Sequence, residues 1–570
     1  MNTDPVTLEV LRNALQSAAE EMGVTLTRTA LSPNIKDRRD CSTAVYTPAG
    51  ELVAQAEHIP LHLGLMPAVV KKVLEYYPLE KLEPGDAVII NDPYISGSHL
   101  PDVCIITPVF TGGAPVAIAA NLAHHVDIGG MAPGSMSTAA TEIFQEGIRI
   151  PPVKISSRGR LNTDLLRLLA CNVRTADEFY SDIQAQLSAN EAGGSRIMEL
   201  AEKWGTNMLR FYMEEIINYA ERRFRAALRE IPRGLYSFSD FLEGDGITPD
   251  QIKIAAGVEV SEKGVRVDFT GTSPQVRGPV NATRGVTLAC VYFAVKAVAD
   301  PDLPSSEGIA RVVEVITPQG SLVNPAFPAP VAHANINTAQ RIADVILGAL
   351  SQAAPGRVTA AGTGSMSNFT IGGRDARGRY YSYVETYGGG QGAKLDQDGM
   401  DGVHVNMTNT RNTPVEVIEM NYPLLVERYG LVRDSGGPGE FRGGAGLVRG
   451  ITLLEDAAVS VSTERNDVKP WGLEGGNPGK SSRCSIRMPG GAAEEAPGKF
   501  TRELPKGATI ILETAGGGGF GSPWTRRPEA VRRDVKNGLV SRDAALESYG
   551  VVLNEALEVD WEKTRQKRGP

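Results

Sequence analysis

Cysteine is scarce and scattered: Cys41, Cys104, Cys171, Cys290 and Cys484 form no Cys-x-x-Cys pair. That spacing speaks against a thiolate metal site or a disulfide framework and fits a reducing compartment. Aromatic residues make up only 6% of the chain. No apolar run approaches the roughly 18 residues of a transmembrane helix, so no membrane span is expected. Basic runs are missing too, and the net charge is -9, which argues against a nucleic-acid partner. The opening Met1-Asn2-Thr3-Asp4-Pro5 has neither a basic nor an apolar stretch. It reads as no secretion signal, and the expected compartment is the cytoplasm. Histidine is rare as well, with seven residues in 570.

What is present is ordinary globular composition, 42% hydrophobic and 22% charged. A chain this long exceeds a single core, so several domains are expected. The fold class is α+β and multidomain. Its parts are an N-terminal metal-binding α/β domain over 1–160, a helical segment over 161–234, an α/β domain over 235–355, a β-rich domain over 356–525 and a helical tail over 526–570. Leu8, Leu11, Leu15, Ala18 and Met22 recur at helical steps over 6–26, and helical spacing returns over 61–77. A hairpin is expected over 42–55 around Pro48-Ala49-Gly50, and short strands over 87–90, 103–110 and 116–121. Gly193-Gly194 is expected to break the central helical run, and 563–570 to fray. The 62 glycines exceed the usual share of about 7%. They cluster late and predict tight turns and close backbone approaches.

The seven histidines are not spread evenly. His58, His62, His99, His124 and His125 fall between residues 58 and 125, with His333 and His404 apart. Imidazole is the commonest metal ligand and the physiological general base. His99 and Asp102 end the loop Asn91-Asp92-Pro93-Tyr94-Ile95-Ser96-Gly97-Ser98-His99-Leu100-Pro101-Asp102, which leaves the strand over 87–90. His124-His125-Val126-Asp127 leaves the strand over 116–121, so two parallel or neighbouring strands could bring His99, Asp102 and His124 together. A third loop, Lys36-Asp37-Arg38-Arg39-Asp40, supplies further carboxylates. Two imidazoles and one or two carboxylates form a mixed N/O set suited to Zn²⁺, Mn²⁺, Fe²⁺ or Co²⁺ and not Ca²⁺. The blander alternative is a set of loop caps and satisfied core histidines. Glu142 and Glu146, near Arg149, offer a support for a ligand histidine or a general base, or else a solvated strand edge. The glycine-rich segments include no GxxxxGK[ST], and tight turns are their default reading.

Taken together, the Asp-Pro-Val-Thr-Leu-Glu-Val start, residues 91–102, His124-His125 with Asp127-Ile128-Gly129-Gly130, and 145–152 resemble the hydantoinase B/oxoprolinase family. So do 406–409, 436–446 and 514–521, which extends the resemblance over essentially the whole chain. The resemblance implies a metal set of Asp40, His99, Asp102 and His124, with zinc or manganese as the first candidates. It implies a catalytic or supporting place for His125 and Asp127, and Glu146 joins them as a candidate base. It also implies a separate hydantoinase A-type subunit that binds ATP and phosphorylates a cyclic amide (lactam, hydantoin or oxoproline) in a hetero-oligomer such as a heterotetramer. Metal-activated water then opens the ring. The alternatives are the metal subunit of an ATP-dependent ketone carboxylase and a non-catalytic scaffold for the ATPase.

Overall fold

The computed structural model describes residues 3–56 and 58–569. The first helix, α1 (Pro5–Thr29), begins where Asp4 accepts a hydrogen bond from Thr7 N and Pro5 presets the first turn. Next come α2 (Pro33–Lys36), β1 (Cys41–Tyr46), β2 (Leu52–Gln55), α3 (Pro60–Tyr76), β3 (Ala87–Ile90), α4 (Pro93–Ser96), β4 (Asp102–Thr111), β5 (Ala114–His124), β6 (Val153–Ser157) and β7 (Arg160–Leu161). The strands form one antiparallel sheet in the order β2-β1-β5-β4-β3-β6-β7. The strands over 87–90 and 116–121, expected to be parallel or neighbouring, run the same way but are not neighbours: the strand over 103–110 lies between them and is antiparallel to both. Gly112-Gly113 turns β4 back into β5, so the start of β4, the end of β5 and the start of β1 share one edge.

Side chains alternate across this sheet and both faces are buried. Ala44, Cys104, Ile106, Ile118, Ala120 and Leu122 pack toward α3. Cys41, Val45, Ala117, Ala119 and Ala123 pack toward α1 and the long helices that follow. Those helices are α5 (Thr163–Ala170), α6 (Ala176–Trp204) and α7 (Thr206–Leu228). Contrary to the sequence expectation, α6 runs unbroken through Gly193-Gly194, and the chain turns instead at Gly205, with φ 83°. The glycine serves packing: a Cβ on Gly193 would lie 2.3 Å from Met22 Sδ on α1.

A second sheet holds β8 (Gly234–Glu243), β9 (Gln251–Ser261) and β10 (Gly264–Asp268), antiparallel, with β11 (Val313–Ile316) parallel to β10. Helices α8 (Arg284–Ala299) and α9 (Ala339–Ser351) lie between the two sheets, in one core with α3. Beyond residue 356 the β-rich expectation holds. One sheet comprises β12 (Asn368–Arg374), β13 (Tyr380–Thr386), β16 (Ala457–Ser462) and β19 (Lys499–Leu504). The other comprises β14 (Leu424–Leu431), β15 (Leu447–Leu453), β17 (Arg483–Arg487), β18 (Ala493–Ala496) and β20 (Thr509–Glu513). The two share a core around Phe369, Tyr383, Ile451 and Leu512, with α10 (Val415–Asn421) alongside. The glycine-rich segments stack backbone on backbone. Gly517 N donates to Gly444 O, Gly390 N to Ala515 O and Gly437 N to Gly517 O, so those amides are spent internally.

The C-terminal helices are α11 (Pro528–Lys536), α12 (Arg542–Glu547) and α13 (Trp561–Arg568). The fraying expected over 563–570 is not observed through Gly569, and Pro570 lies outside the described residues. Asp560 caps α13, Thr564 is buried, and Arg568 Nε donates to Tyr549 O. Among the described residues, no helix is long and apolar enough to cross a membrane.

The two adjacent glycines of α6 separate packing from helix propensity. Gly193→Leu forces bulk into the α1–α6 seam and should destabilise the fold by about 1–3 kcal/mol. Gly194→Ala places its Cβ no closer than 3.6 Å to Val109 and should be neutral or stabilising by up to about 1 kcal/mol. Thermal unfolding of the two variants checks this, and equal midpoints would refute the packing role.

Candidate metal centre

The shared sheet edge assembles the site. Asp102 opens β4 and His124 closes β5, and the two are direct register partners. Asp40 lies immediately before β1, and its carbonyl accepts from His124 N at 3.0 Å. The loop from β3 is folded around Asn91, whose amide donates to Leu100 O and Ile148 O and accepts from Ile150 N. Gly97, with φ 87°, ends α4 and turns the chain toward His99. His99 Nδ1 then lies 2.8 Å from Ala332 O, which leaves Nε2 facing the cluster.

His99, Asp102 and His124 are all buried and offer ligand atoms within 4.8 Å of one another. The rings of His99 and His124 meet edge to face, with centroids 4.9 Å apart. His99 Nε2 is 3.3 Å from Asp102 Oδ2, and His62 Nε2 is 3.5 Å from Asp102 Oδ1 and 4.0 Å from Asp40 Oδ1. Asp40 lines the same cavity, and its second oxygen is 3.6 Å from Arg38 Nη2. The cavity has a volume of about 20 Å³, walled by His62, Asn335, Asn368, Thr386 and Met407 among others. That is space for about one water or ion.

The buried atoms bear on whether a cation fits. His99 Nε2 and Asp102 Oδ1 have no hydrogen-bond partner among the described residues. Such orphans are rare in folded proteins, and both can ligate a divalent ion. Burial pushes the Asp102 carboxyl up, but His99 and His62 outweigh it and hold the group well below the usual carboxylate range. His99 is raised: burial opposes this, and the nearby Asp102 overcomes it. His124 is pushed down to about 4 by burial, with Asp40 opposing. His124 thus rests in the neutral form that metals bind. Its Nδ1 lies 2.9 Å from Asn34 Nδ2, leaving Nε2 as the other nitrogen available.

The remaining sequence candidates lie elsewhere. His125 falls on the opposite face of the sheet from His124, where it packs on Phe179 at 5.0 Å and pairs with Gln186 at 3.0 Å. Asp127 organises its own loop, accepting from Gly129 N, Gly134 N and Arg174 N. Glu146 is buried rather than on a solvated edge, and it accepts from Val331 N and Ala332 N at 2.8 and 2.9 Å. It thereby braces the segment on which His99 rests. Burial raises it to about 8 against those two donors. Sequence reasoning listed His62 without choosing it as a ligand. Asn34 and Asn335, whose amides contact His124 and Asp102, carried no spacing signal.

The chain is similar in sequence and fold to known proteins. The chain is 33% identical to the B-type chain of a putative D-/L-hydantoinase from a Pseudomonas species, over 99% of this chain and 98% of that one. It is 34% identical to the beta chain of the caprolactamase of Pseudomonas jessenii over the full length of both. The crystal structure of that ATP-dependent caprolactamase superposes with a TM-score of 0.91, at 32% identity and full coverage of both chains. A nucleotide-free acetone carboxylase structure gives a TM-score of 0.92, covering 99% of this chain and 82% of that one, at 21% identity, a likeness of fold alone. The sequence pattern of hydantoinase B/oxoprolinase matches residues 4–523, and the chain belongs to that family.

Proposed function

We propose that this chain is the hydrolytic subunit of an ATP-dependent cyclic amide hydrolase acting on a lactam, hydantoin or oxoproline, alongside a hydantoinase A-type ATPase subunit. The observation that carries the reading is the buried His99–Asp102–His124 cluster beside a cavity the size of one water, in which His99 Nε2 and Asp102 Oδ1 make close ion-pair approaches but no hydrogen bond. Asp40, His99, Asp102 and His124 hold a divalent ion, zinc or manganese, as N/O donors of that kind do. Such an ion, when bound, polarises a carbonyl and acidifies water.

The chain's own residues do the rest. His62 Nε2, between Asp40 and Asp102, is placed to hold a proton for the amine that leaves. Glu146 keeps Ala332 against His99. His125 and Asp127 act from behind, anchoring the end of β5 to α6 and folding the loop that follows. A cyclic amide resists attack because its nitrogen delocalises into the carbonyl. Phosphorylation of that oxygen by ATP on the partner removes the resistance. Water then adds to the carbon, the C–N bond breaks to free the amine, and the phosphoryl group departs as inorganic phosphate as the carboxylate forms. The amides of Gly389, Gly390, Gly437, Gly443, Gly444 and 516–519 all donate to carbonyls, which supports placing ATP on the partner. A cleft of about 540 Å³, lined by Pro60, Leu63, Pro67, Tyr292 and Phe293 on another face of α3, has the size of a small-molecule site.

Purified together with its ATPase partner, the chain should open 5-oxoproline, hydantoin or caprolactam only when ATP is supplied. The isolated chain should hydrolyse no ATP. A carboxylated product that depends on bicarbonate would overturn the hydrolase reading. His124→Ala and Asp102→Asn should each lower ring opening at least ~10–100-fold, the cost typical even of residues that only support a ligand. They should leave ATP binding by the partner intact. Undiminished ring opening by both, in metal-stripped protein, would sink the assignment.

Glu146 yields a pH test. Its folded-state value of about 8 lies above the ordinary 4.5, so the folded chain keeps a proton that the unfolded chain releases. The stability tied to this group is full below pH 4.5 and is lost as pH rises through 8. Glu146→Gln removes that titration while preserving an acceptor for Val331 N and Ala332 N. The wild-type melting temperature should therefore fall more steeply than that of the variant across this window. Parallel profiles would show that Glu146 is not a buried acid.

A further inference from the structure

Immediately before α9 the backbone makes one wide turn, Ala334–Thr338, in which Ala339 N donates to Ala334 O five residues back. Turns of this type insert a residue into a helix and recur at functional sites. Here the turn aims its side chains in different directions. Asn337 is fully paired, donating to Ser462 Oγ and accepting from Ser365 Oγ, both at 2.8 Å. Thr338 Oγ1 donates to Val280 O. Asn335 is the exception. It is 4% exposed, its Nδ2 donates to Asp102 Oδ2 at 3.0 Å, and its Oδ1 has no partner among the described residues.

The orientation of this amide is settled by chemistry. A carboxylate accepts only, so the group facing Asp102 is the NH₂, and the carbonyl oxygen points away from it. Asn335 belongs to the wall of the cavity that also holds His62, His99, His124 and Asp40. Leaving an amide oxygen buried and unpaired is costly, and an occupant of the cavity would meet that cost. Three buried atoms without a hydrogen-bond partner, His99 Nε2, Asp102 Oδ1 and Asn335 Oδ1, are each able to give a lone pair to a cation. An aspartate at 335 would supply the same oxygen but would set a second carboxylate against Asp102. Asparagine supplies the oxygen and a donor at once.

We propose that Asn335 is a ligand of the metal site, offering Oδ1 as a neutral oxygen donor while its Nδ2 orients Asp102. This rests on the reading of His99, Asp102 and His124 as an ion site and adds to it a residue distant in sequence.

The test titrates the full-length apo chain with Co²⁺, followed by its visible absorption, and with Zn²⁺ in competition with a chromophoric chelator. Wild type, Asn335→Leu and Asn335→Asp are compared, and apo melting temperatures serve as the folding control. Asn335→Leu should bind each ion ~10–100-fold more weakly, the range seen for losses around a metal, and should alter the Co²⁺ spectrum. Asn335→Asp keeps the oxygen, so it should bind at least as tightly as wild type. Binding by Asn335→Leu equal to wild type, with an unchanged spectrum, would overturn the proposal. So would weaker binding by Asn335→Asp than by Asn335→Leu, which would leave Asn335 only an orienting hydrogen bond to Asp102. Should Asn335→Leu fail to fold, Asn335→Ala, which also lacks the oxygen, takes its place, and binding equal to wild type there would overturn the proposal. Absence of ion binding by wild type would remove the metal site itself, an outcome distinct from failure at Asn335 alone.

Discussion

Burying the Asp102 carboxylate sets the terms for everything around it. The residue is 1% exposed, and a charge removed from water is tolerated only when hydrogen bonds and opposite charge replace the water. Ser98 Oγ and Asn335 Nδ2 donate to one oxygen, and His62 stands 3.5 Å from the other. These partners come from the β3–β4 loop, the turn before α9 and α3, so the carboxylate is accommodated only once three separate parts of the chain have met. Register enforces the same condition. A one-residue slip between β4 and β5 would oppose Asp102 to His125 and turn His124 into the face against α6.

The cavity draws on still more distant parts. Arg38 reaches from the end of α2 to β13, donating to Val384 O and Thr386 Oγ1 at 2.9 Å each, which ties the N-terminal sheet edge to the C-terminal sandwich. A second tie is ionic. Arg341 on α9 lies 3.1 Å from Asp240 and 3.2 Å from Glu464, and Arg465 lies 3.0 Å from Asp240 and 2.6 Å from Asp344. Both arginines are fully buried. Removing one partner from such a network commonly costs about 3–5 kcal/mol, so α9, and with it the turn bearing Asn335, is fixed against the sandwich. The C-terminal half thus supplies one wall of a site whose histidines come from the N-terminal half.

How much of this was legible depended on whether the signal was local. His99 and Asp102 stand three apart on one loop, and His124 follows a strand of clear β character, so their convergence could be read from the pattern. Asp40 had no distinguishing spacing and came from the family resemblance. The different faces of His124 and His125 were in principle readable, because β5 alternates and adjacent residues in a strand cannot share a face. Glu146 looked like a strand edge because burial by residues 331–332 is invisible in its own neighbourhood. Asn335 was hidden for the same reason: its partners lie more than 200 positions away. Gly193-Gly194 misled in the opposite sense. Glycine is a poor helix former, but the close α1–α6 crossing favours its lack of a side chain, and tertiary packing outweighed propensity.

The remaining question is what balances the charge at the sheet edge. Asp40 is matched by Arg38, and burial drives His124 to about 4 and His404 to about 4, so these rings bring no charge at neutral pH. That leaves Asp102 with His99 as its nearest potential cation, and the carboxylate raises the imidazole accordingly. A proton on His99 and a divalent ion therefore compete for one negative potential, since the nitrogen facing Asp102 can carry only one of them. The carboxylate field that raises His99 against its burial is also one that attracts a cation. The neutral environment of His124 adds a lone pair without adding repulsion. The proposed ion site would thus draw on an asymmetry between two adjacent imidazoles, one raised by a carboxylate and one lowered by burial.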